Sequence, residues 1–400
     1  MSATEIIFAI YVSIGCIYWL WLAVGSWITI RRTTILKDID VDESPSWPRL
    51  SVVIPACDEG HTLWNAIQTV LAQDYPDIEI VLINDRSTDN TGQIVNNAAA
   101  TDKRVKPVHI TELPDGWLGK VNALSHGFER TSGQWVLFTD ADVHLAPGTL
   151  RRAVAYAENR RLDHLALIPD AWPSTLLTDI AISAFFRIFL VSMRAWAVEN
   201  PKSSAYAGVG AFNLVRRETF EKTDGFEWLR LEVADDVGLG LMMKCSGAHS
   251  AVAHGRDLVG LHWYNSVAEM ARGAEKGYSS LGHCNPLRLV GMISLLSFLE
   301  LSPFIAVLLC GMPQLQVAGA MTMLVGISTI IAMHRWARRP IFPGLLVPVA
   351  AMLNLAFSFR AAWLGFRRGG VVWRGTLYPS RVLREGVRVK LWQGASETLK

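Results

Sequence analysis

The sequence is poor in charge, and it lacks the closely spaced cysteines of a zinc site or a disulfide framework. Charged side chains make up 18% of the 400 residues, against about 25% in soluble domains. The five cysteines share no CxxC spacing, which excludes both kinds of cysteine-based site and favours a reducing environment. The formal net charge of +2 does not suggest a nucleic-acid-binding protein.

Apolar residues are abundant instead, at half of the chain, and the 15 tryptophans are typical of a membrane interface. The run from Ile6 to Ile30 carries no charge and is long enough to cross a bilayer as a helix. Before it stands an acidic residue and no basic one, unlike a signal peptide. Arg31 and Arg32 follow it directly, so we expect the rest of the chain to begin on the cytoplasmic side.

Three further apolar runs lie late in the chain, at about 289–312, 315–333 and 341–359. The first two are joined by a short turn around Pro313 and predict a helical hairpin. The third contains Pro343 and Pro348 and has basic residues on both sides. We expect it to be re-entrant or interfacial, with a spanning helix as the alternative.

A fifth apolar segment, 176–198, lies in the middle of the chain and carries Asp179, Arg187 and Arg194 among aromatic residues. This mixture predicts an amphipathic helix that lies on the membrane surface. A helix that crossed the membrane here would place the residues before and after it on opposite sides.

Between Arg49 and Tyr264 short apolar runs alternate with helical patterns. The predicted strands are 50–56, 78–85, 104–110 and 135–142, and the helices between them include 62–71 and 91–100. This alternation indicates an α/β fold with a mostly parallel sheet. Ligands of such sheets bind beyond the carboxyl ends of the strands.

Acidic residues stand at the ends of three of these predicted strands or just after them: Asp58 and Glu59, then Asp85, then Asp140 and Asp142. Solvated turns are one explanation, and an Asx-turn is one for Asp85. A shared site is the other, because carboxylates gathered at one sheet edge repel each other unless a cation or hydrogen-bond donors join them.

Five segments decide between these explanations because they occur together and in order: VVIPACDEG (52–60), NDRSTDNT (84–91), GKVNAL (119–124), FTDADV (138–143) and EVADDVGLG (232–240). The set resembles the inverting nucleotide-sugar glycosyltransferases of family 2, which have a GT-A fold. The resemblance covers about residues 50–280. The late apolar runs and the ending VVWRGTLYP are similar to the membrane-bound branch, near the hopanoid-associated and bacterial lipid glycosyltransferases.

This resemblance implies a nucleotide-sugar site, and the donor of the family is usually UDP-linked. Asp85 would hydrogen-bond the nucleotide base, and Glu59 would contact the ribose. Asp58 stands beside Glu59 where the family has Asn. Lys120 would approach the nucleotide or its phosphates, although a plain surface lysine is the alternative.

The same resemblance implies a metal site and a catalytic base. Asp140 and Asp142 match the DxD motif, with Asp142 as the direct ligand of Mg²⁺ or Mn²⁺ and Asp140 reaching the ribose or the metal. Asp236 matches the catalytic base, and the neighbouring Asp235 is the second candidate for this role. Both could instead be acids of a helix first turn, where carboxylates are common.

The family often continues with a Gln-x-x-Arg-Trp stretch, which this chain does not have. The nearest candidate, 271–279, offers Arg272, Glu275 and Lys276 without a tryptophan at the matching place. How the diphosphate and the acceptor are held is therefore open, and a solvated helix face is the alternative for these three residues. The departure argues against a processive polymer synthase.

The expected organisation is an N-terminal transmembrane helix (1–32), a cytoplasmic GT-A domain (33–285), transmembrane or re-entrant helices (286–366) and a basic membrane-proximal tail (367–400). We expect an integral protein of a bacterial-type inner membrane that transfers a hexose-type sugar to a lipid acceptor and binds no nucleic acid. Transfer to a polysaccharide is one alternative. A membrane scaffold or transport component with an inactive nucleotide-binding domain is another.

Overall fold

The computed structural model describes residues 2–39, 47–309 and 311–390. Contacts between Cα atoms divide the chain into two compact units. The helical unit comprises Met1–Arg32, Trp172–Arg194 and Trp263–Val371. The sheet unit comprises Thr33–Ala171, Ala195–His262 and Val372–Lys400. The predicted tail therefore lies in the sheet unit over most of its length, and residues 391–400 are outside the described part.

The strands are β1 Thr34–Ile35, β2 Leu50–Ala56, β3 Ile78–Asp85, β4 Val105–Ile110, β5 Trp135–Phe138, β6 His144–Leu145, β7 His164–Ile168, β8 Asp170–Ala171, β9 Asn213–Arg216, β10 Ser250–His254, β11 Val259–Leu261, β12 Gly370–Trp373 and β13 Thr376–Pro379. The α-helices are α1 Ala3–Arg32, α2 Leu63–Leu71, α3 Thr91–Thr101, α4 Gly119–Phe128, α5 Thr149–Asn159, α6 Leu176–Met193, α7 Ala195–Val198, α8 Arg217–Phe220, α9 Gly225–Leu229, α10 Asp235–Cys245, α11 Val267–Gly273, α12 Glu275–Ser280, α13 Pro286–Leu309, α14 Pro313–Trp336, α15 Ile341–Leu345, α16 Val347–Arg368 and α17 Ser380–Gly386.

The sheet unit is built on an eight-stranded sheet in the order β1-β10-β7-β9-β5-β2-β3-β4. Within the described residues β9 is antiparallel to both neighbours, and the other pairings of this sheet are parallel. The β3 residues from Ile80 to Ile83 are fully buried, as expected for a strand covered on both faces. The α/β fold with a mostly parallel sheet is confirmed.

The carboxyl ends of β5, β2 and β3 lie side by side, since these strands are parallel neighbours. The predicted acids therefore meet at one edge of the sheet. The fourth predicted strand, 135–142, was too long, because β5 ends at Phe138. There the backbone N–H of Asp140 leaves the ladder and donates to Gly210 O at 3.1 Å, and Val143 N closes a turn onto Asp140 O.

The helical unit contains long apolar helices. Among the described residues five helical segments are long and apolar enough to cross a membrane: Ala3–Arg32, Leu176–Val198, Pro286–Leu309, Pro313–Trp336 and Val347–Arg368. The predicted hairpin appears as α13 and α14, which pack on each other. The third late run is two helices, α15 and α16, because the chain leaves the helical conformation at Leu346. Whether it spans or re-enters stays a prediction.

The charged residues of α6 are buried in ion pairs inside the helical unit. Asp179 pairs with Arg339 at 2.8 Å, and Arg187 pairs with Glu300 at 2.9 Å. These charges therefore do not form an exposed polar face of α6, which differs from the amphipathic pattern. Buried charges of this kind are tolerated only in pairs. The helix ends at Met193, and Arg194 takes a left-handed φ of 49°.

Candidate active site

The centre of the candidate site is a cleft in the sheet unit, which we call the central cleft. Its lining comes from the end of β5, the first turns of α4 and α10, and the loop before β9: Lys120, Leu124, Phe138, Thr139, Asp140, Gly210, Asn213, Asp235, Asp236 and Leu239. Four of the eight predicted site residues lie here. The fold thus brings together acids that are about 95 positions apart in the sequence.

Lys120 links the two acidic motifs of the central cleft. Its Nζ lies 2.7 Å from Asp140 Oδ1 and 3.1 Å from Asp235 Oδ2. Burial lowers the pKa of Lys120, but the carboxylates of Asp140, Asp235 and Asp236 together raise it well above its usual value. The lysine therefore stays charged and holds these acids together, which excludes the plain surface lysine.

Asp236 lies in the first turn of α10 and is oriented by two backbone amides. Gly210 N donates to its Oδ2 at 2.8 Å, and Val237 N donates to its Oδ1 at 2.9 Å. A Cβ built on Gly210 would lie 2.6 Å from Asp140 Oδ2 and 3.4 Å from Asp236 Oδ2. The two carboxylates therefore face one small space that stays open because residue 210 is glycine.

Asp142 follows Asp140 across the turn and is half-buried. Burial, together with the negative charges of Asp140 and Glu59, raises the pKa of Asp142 from 3.8 to about 7. Lys120 opposes this shift without cancelling it. Asp142 is thus a carboxyl group whose surroundings disfavour its charge until a further cation arrives.

Glu59 and Asp85, which we call the β2–β3 carboxylates, lie next along the same sheet edge. Both oxygens of the buried Asp85 accept from Arg86, at 2.7 Å from Nε and 3.0 Å from Nη2. Glu59 Oε2 accepts from Thr62 at 2.9 Å, and its Oε1 is paired with Arg374. Both carboxylates are therefore matched by a neighbouring guanidinium group.

Asp58 has a more local role than its neighbour. It adopts a left-handed φ of 52°, which Asp tolerates better than most residues. Its Oδ1 accepts from Thr88 N at 2.7 Å, and its own N–H donates to Ser87 Oγ. These bonds tie the loop after β2 to the loop after β3. The side chain remains exposed at the sheet edge.

Sequence reasoning missed several residues of the site. Arg86 and Arg374 were not recognised as partners of the β2–β3 carboxylates, and Gly210 was not noticed. Gly375 between two short apolar segments is a turn signal that could have drawn attention to β12 and β13. Of the residues offered for the absent arginine motif, Glu275 is buried in the helical unit and pairs with Arg360 and Arg368, both at 2.9 Å.

The donor set fits a divalent cation that shares its ligands with a substrate. No three His, Cys, Asp or Glu side chains among the described residues are grouped to hold a metal ion by themselves. Mg²⁺ is usually bound by one or two carboxylates plus substrate phosphates rather than by an all-protein cage. Asp142, with its raised pKa, and Asp140 beside it provide the carboxylate part of such a set.

The mostly parallel sheet with its helices has a GT-A-like fold, accompanied by several long apolar helices that could span a membrane. Residues 51–229 match the profile of Glycosyl transferase family 2. This part of the chain, which runs from β2 to beyond β9, is therefore similar to that family.

Named relatives match over different shares of the chain. The GalNAc(5)-diNAcBac-PP-undecaprenol beta-1,3-glucosyltransferase of Campylobacter jejuni is 34% identical over 26% of this chain and 32% of its own length. The 4,4'-diaponeurosporenoate glycosyltransferase of Staphylococcus aureus is 23% identical over 82% of this chain and 88% of its own. The chain spans about a third or less of the length of the first curated relatives that it matches.

A solved structure is also similar. The mannosyltransferase of Pyrobaculum calidifontis, in complex with GDP-Man and Mn²⁺, aligns with 90% of this chain and 98% of its own, at 16% identity and a TM-score of 0.52. At this identity the likeness concerns the fold alone.

Proposed function

We propose that this protein is an inverting, metal-dependent glycosyltransferase that moves a sugar from a nucleotide sugar, UDP-linked in our assignment, to a membrane lipid. The observation that carries the proposal is the convergence of Lys120, Asp140 and Asp236 on the space beside Gly210, with Asp142 on the adjoining turn. A surface turn needs no lysine that bridges two acidic motifs.

Asp236 is the base of the proposed reaction. The hydroxyl oxygen of the acceptor bonds to C1 of the sugar, the bond from C1 to the diphosphate oxygen breaks, and the hydroxyl proton passes to Asp236. An unperturbed hydroxyl is a poor nucleophile near neutrality, so a positioned carboxylate accelerates this step. The amides of Gly210 and Val237 keep both carboxylate oxygens in place. One base without a second nucleophile gives single displacement and inversion.

The remaining residues bind and orient the donor. Asp142 and Asp140 would hold Mg²⁺ or Mn²⁺, which supplies neutralisation of the leaving diphosphate when bound. Lys120 fixes Asp140 relative to Asp235 within the central cleft. Asp85 and Glu59, with Asp58 at the loop between them, are assigned to the nucleoside because they follow the next two strands along the sheet edge.

The long apolar helices of the helical unit favour a lipid acceptor. One relative is named for an undecaprenol-linked acceptor. The basic pair Arg31 and Arg32 after the first apolar helix favours a catalytic domain on the cytoplasmic side, in a bacterial-type inner membrane. The chain leaves the sheet unit at Ala171 and returns at Ala195. One folded unit cannot lie on both sides of a bilayer. We therefore infer that the chain enters and leaves the segment 172–194 on the same side of the membrane.

Polysaccharide transfer is the second candidate, and the absence of the Gln-x-x-Arg-Trp stretch disfavours its processive form. An inactive scaffold or transport component is disfavoured because Lys120 ties both acidic motifs together in a formed cleft.

The test uses the purified full-length chain in nanodiscs of bacterial lipid, supplied in turn with UDP-glucose, UDP-GlcNAc and GDP-mannose. We expect one donor to be consumed with Mn²⁺ or Mg²⁺ and spared with EDTA. Asp236→Asn should slow transfer by about a hundredfold or more, because general bases contribute about 10²–10⁴ in rate. The exposed Asp224→Asn is the matched control. Equal turnover with EDTA, or undiminished transfer by Asp236→Asn, would refute the mechanism.

A further inference from the structure

The β12–β13 hairpin has a turn of unusual composition. Its two central residues, Arg374 and Gly375, have positive φ values of 47° and 76°. Two-residue hairpin turns of this kind favour Asn or Gly at the first position, because a residue with a larger side chain is strained there. An arginine held in this conformation is therefore placed at the tip of the hairpin at a cost to stability.

Residues 374–378 of the hairpin belong to the sheet unit and contact its loops where the proposed donor site lies. Arg374 Nη2 donates to Glu59 Oε1. Two further bonds follow along the hairpin, from Arg86 Nη1 to Thr376 Oγ1 at 3.4 Å and from Gly119 N to Tyr378 Oη at 3.2 Å. The three contacts fall on the loop after β2, the loop after β3 and the first residue of α4.

The following segment anchors the hairpin independently of Arg374. The backbone N–H groups of Arg388 and Val389 donate to the buried Glu232 at 2.6 and 3.0 Å. Gly386 lies so close to Leu231 that a Cβ on it would be 2.1 Å from that residue's Cβ. Arg374 can therefore change its partner while the rest of the segment stays in place.

Arg86, Lys120 and Arg374 each pair with a carboxylate of the proposed donor site, and they differ in how exposed they are. Arg86 is 19% exposed and forms a two-pronged pair with Asp85, and Lys120 is 22% exposed between two carboxylates. Arg374 is 45% exposed and pairs with Glu59. The nucleoside part of a donor is neutral, whereas its diphosphate carries the negative charge. An exposed guanidinium group matches phosphate oxygens well.

We propose that Arg374 binds the diphosphate of the nucleotide-sugar donor, exchanging Glu59 for phosphate oxygens when the donor enters. This inference rests on the proposed function. It supplies the cation that the missing Gln-x-x-Arg-Trp stretch leaves unassigned. Glu59 is released in the same exchange and becomes available to the ribose hydroxyl groups, so one movement completes both contacts.

The experiment compares binding of UDP and of uridine to the full-length protein in detergent with Mg²⁺, by calorimetry. Arg374→Ala should weaken UDP binding by about tenfold or more, the usual effect of losing a charge-assisted hydrogen bond. It should not weaken uridine binding, because Glu59 then no longer pairs with a guanidinium group. Arg374→Lys should recover part of the loss. Arg381→Ala, an exposed arginine of the same segment, is the control. A fluorescence melt of each variant checks folding.

Unchanged UDP affinity in Arg374→Ala overturns the proposal. Equal weakening of UDP and uridine also overturns it, because the hairpin would then only shape the nucleoside pocket. Tighter UDP binding overturns it as well, because Arg374 would then compete with the donor for Glu59 instead of binding the diphosphate. These results concern Arg374 alone. Failure of the wild-type protein to bind UDP and GDP in the same assay would instead remove the proposed function itself, and this inference with it.

Discussion

Asp142→Asn should stabilise the metal-free protein at neutral and alkaline pH. The folded state holds the pKa of Asp142 at about 7 against an ordinary 3.8. Below pH 3.8 both states are protonated and the group contributes nothing. Between 3.8 and 7 the unfolded chain ionises first, so folding loses stability as the pH rises, and above 7 the penalty is constant. At 1.36 kcal/mol per pKa unit the full penalty is about 4 kcal/mol.

Asparagine removes this penalty because it is neutral at every pH. The gain at pH 8 should exceed the gain at pH 5 by about 3 kcal/mol. With about 2–4 °C per kcal/mol for a domain of this size, the melting temperature with EDTA should rise several degrees more at pH 8 than at pH 5. Tryptophan fluorescence on heating measures it.

Asp140→Asn is the matched control, since it removes a partner of Lys120 at 2.7 Å and should not stabilise at either pH. Adding Mn²⁺ should favour the wild type, which alone keeps both carboxylates. An Asp142→Asn gain that is absent, or equal at pH 5 and pH 8, would refute the assignment of Asp142 as a carboxylate that awaits a cation.

Three other variants test separate parts of the structure. Gly210→Ala should cut turnover at least about tenfold with little change in melting temperature, because its Cβ would lie 2.6 Å from the Asp140 carboxylate. The control is Gly291→Ala, whose Cβ would meet nothing within 4 Å. Equal activities of the two variants would contradict the reasoning. Glu79→Gln should lower the free energy of unfolding in urea by about 3 kcal/mol at pH 7. Burial raises the pKa of Glu79, but hydrogen bonds lower it to about 2. The stability that this carboxylate contributes is therefore present above pH 4.5 and vanishes towards pH 2. A pH-independent loss would refute this. Glu300→Ala should cost about 3–5 kcal/mol, because it leaves Arg187, which is 1% exposed, without its carboxylate; an unchanged melt in detergent would show that the pair is dispensable.

The sheet was predictable because its strands are short apolar runs bounded by polar residues. The predicted bounds 50–56 and 78–85 coincide with β2 and β3. The acids after them could be assigned to one edge, since parallel strands end on the same side. The end of β5 was misjudged because an alternating TDAD pattern does not reveal that the backbone turns onto Gly210.

Partners that are distant in the sequence were not predictable. Arg374 and Glu59 are 315 positions apart, and Asp179 and Arg339 are 160 apart. Hydrophobic periodicity reports which face of an element is apolar and carries no information on which charges meet. For α6 the charges alone suggested a polar face, whereas the fold uses them in buried pairs.

Gly210 was missed for a related reason. A glycine in AYAGVGAF has no distinguishing sequence context, and its importance comes from two carboxylates that approach it from other segments. A single sequence cannot show such an approach.

Mass spectrometry of membrane lipids tests the central claim most directly. Bacterial cells that produce the wild-type chain should accumulate a lipid that is heavier by one sugar residue, and cells that produce Asp236→Asn at the same level should lack it. The same new lipid in both cell lines would contradict the assignment of Asp236 as base. No new lipid in either, with a sugar added to a polysaccharide instead, would contradict the lipid acceptor.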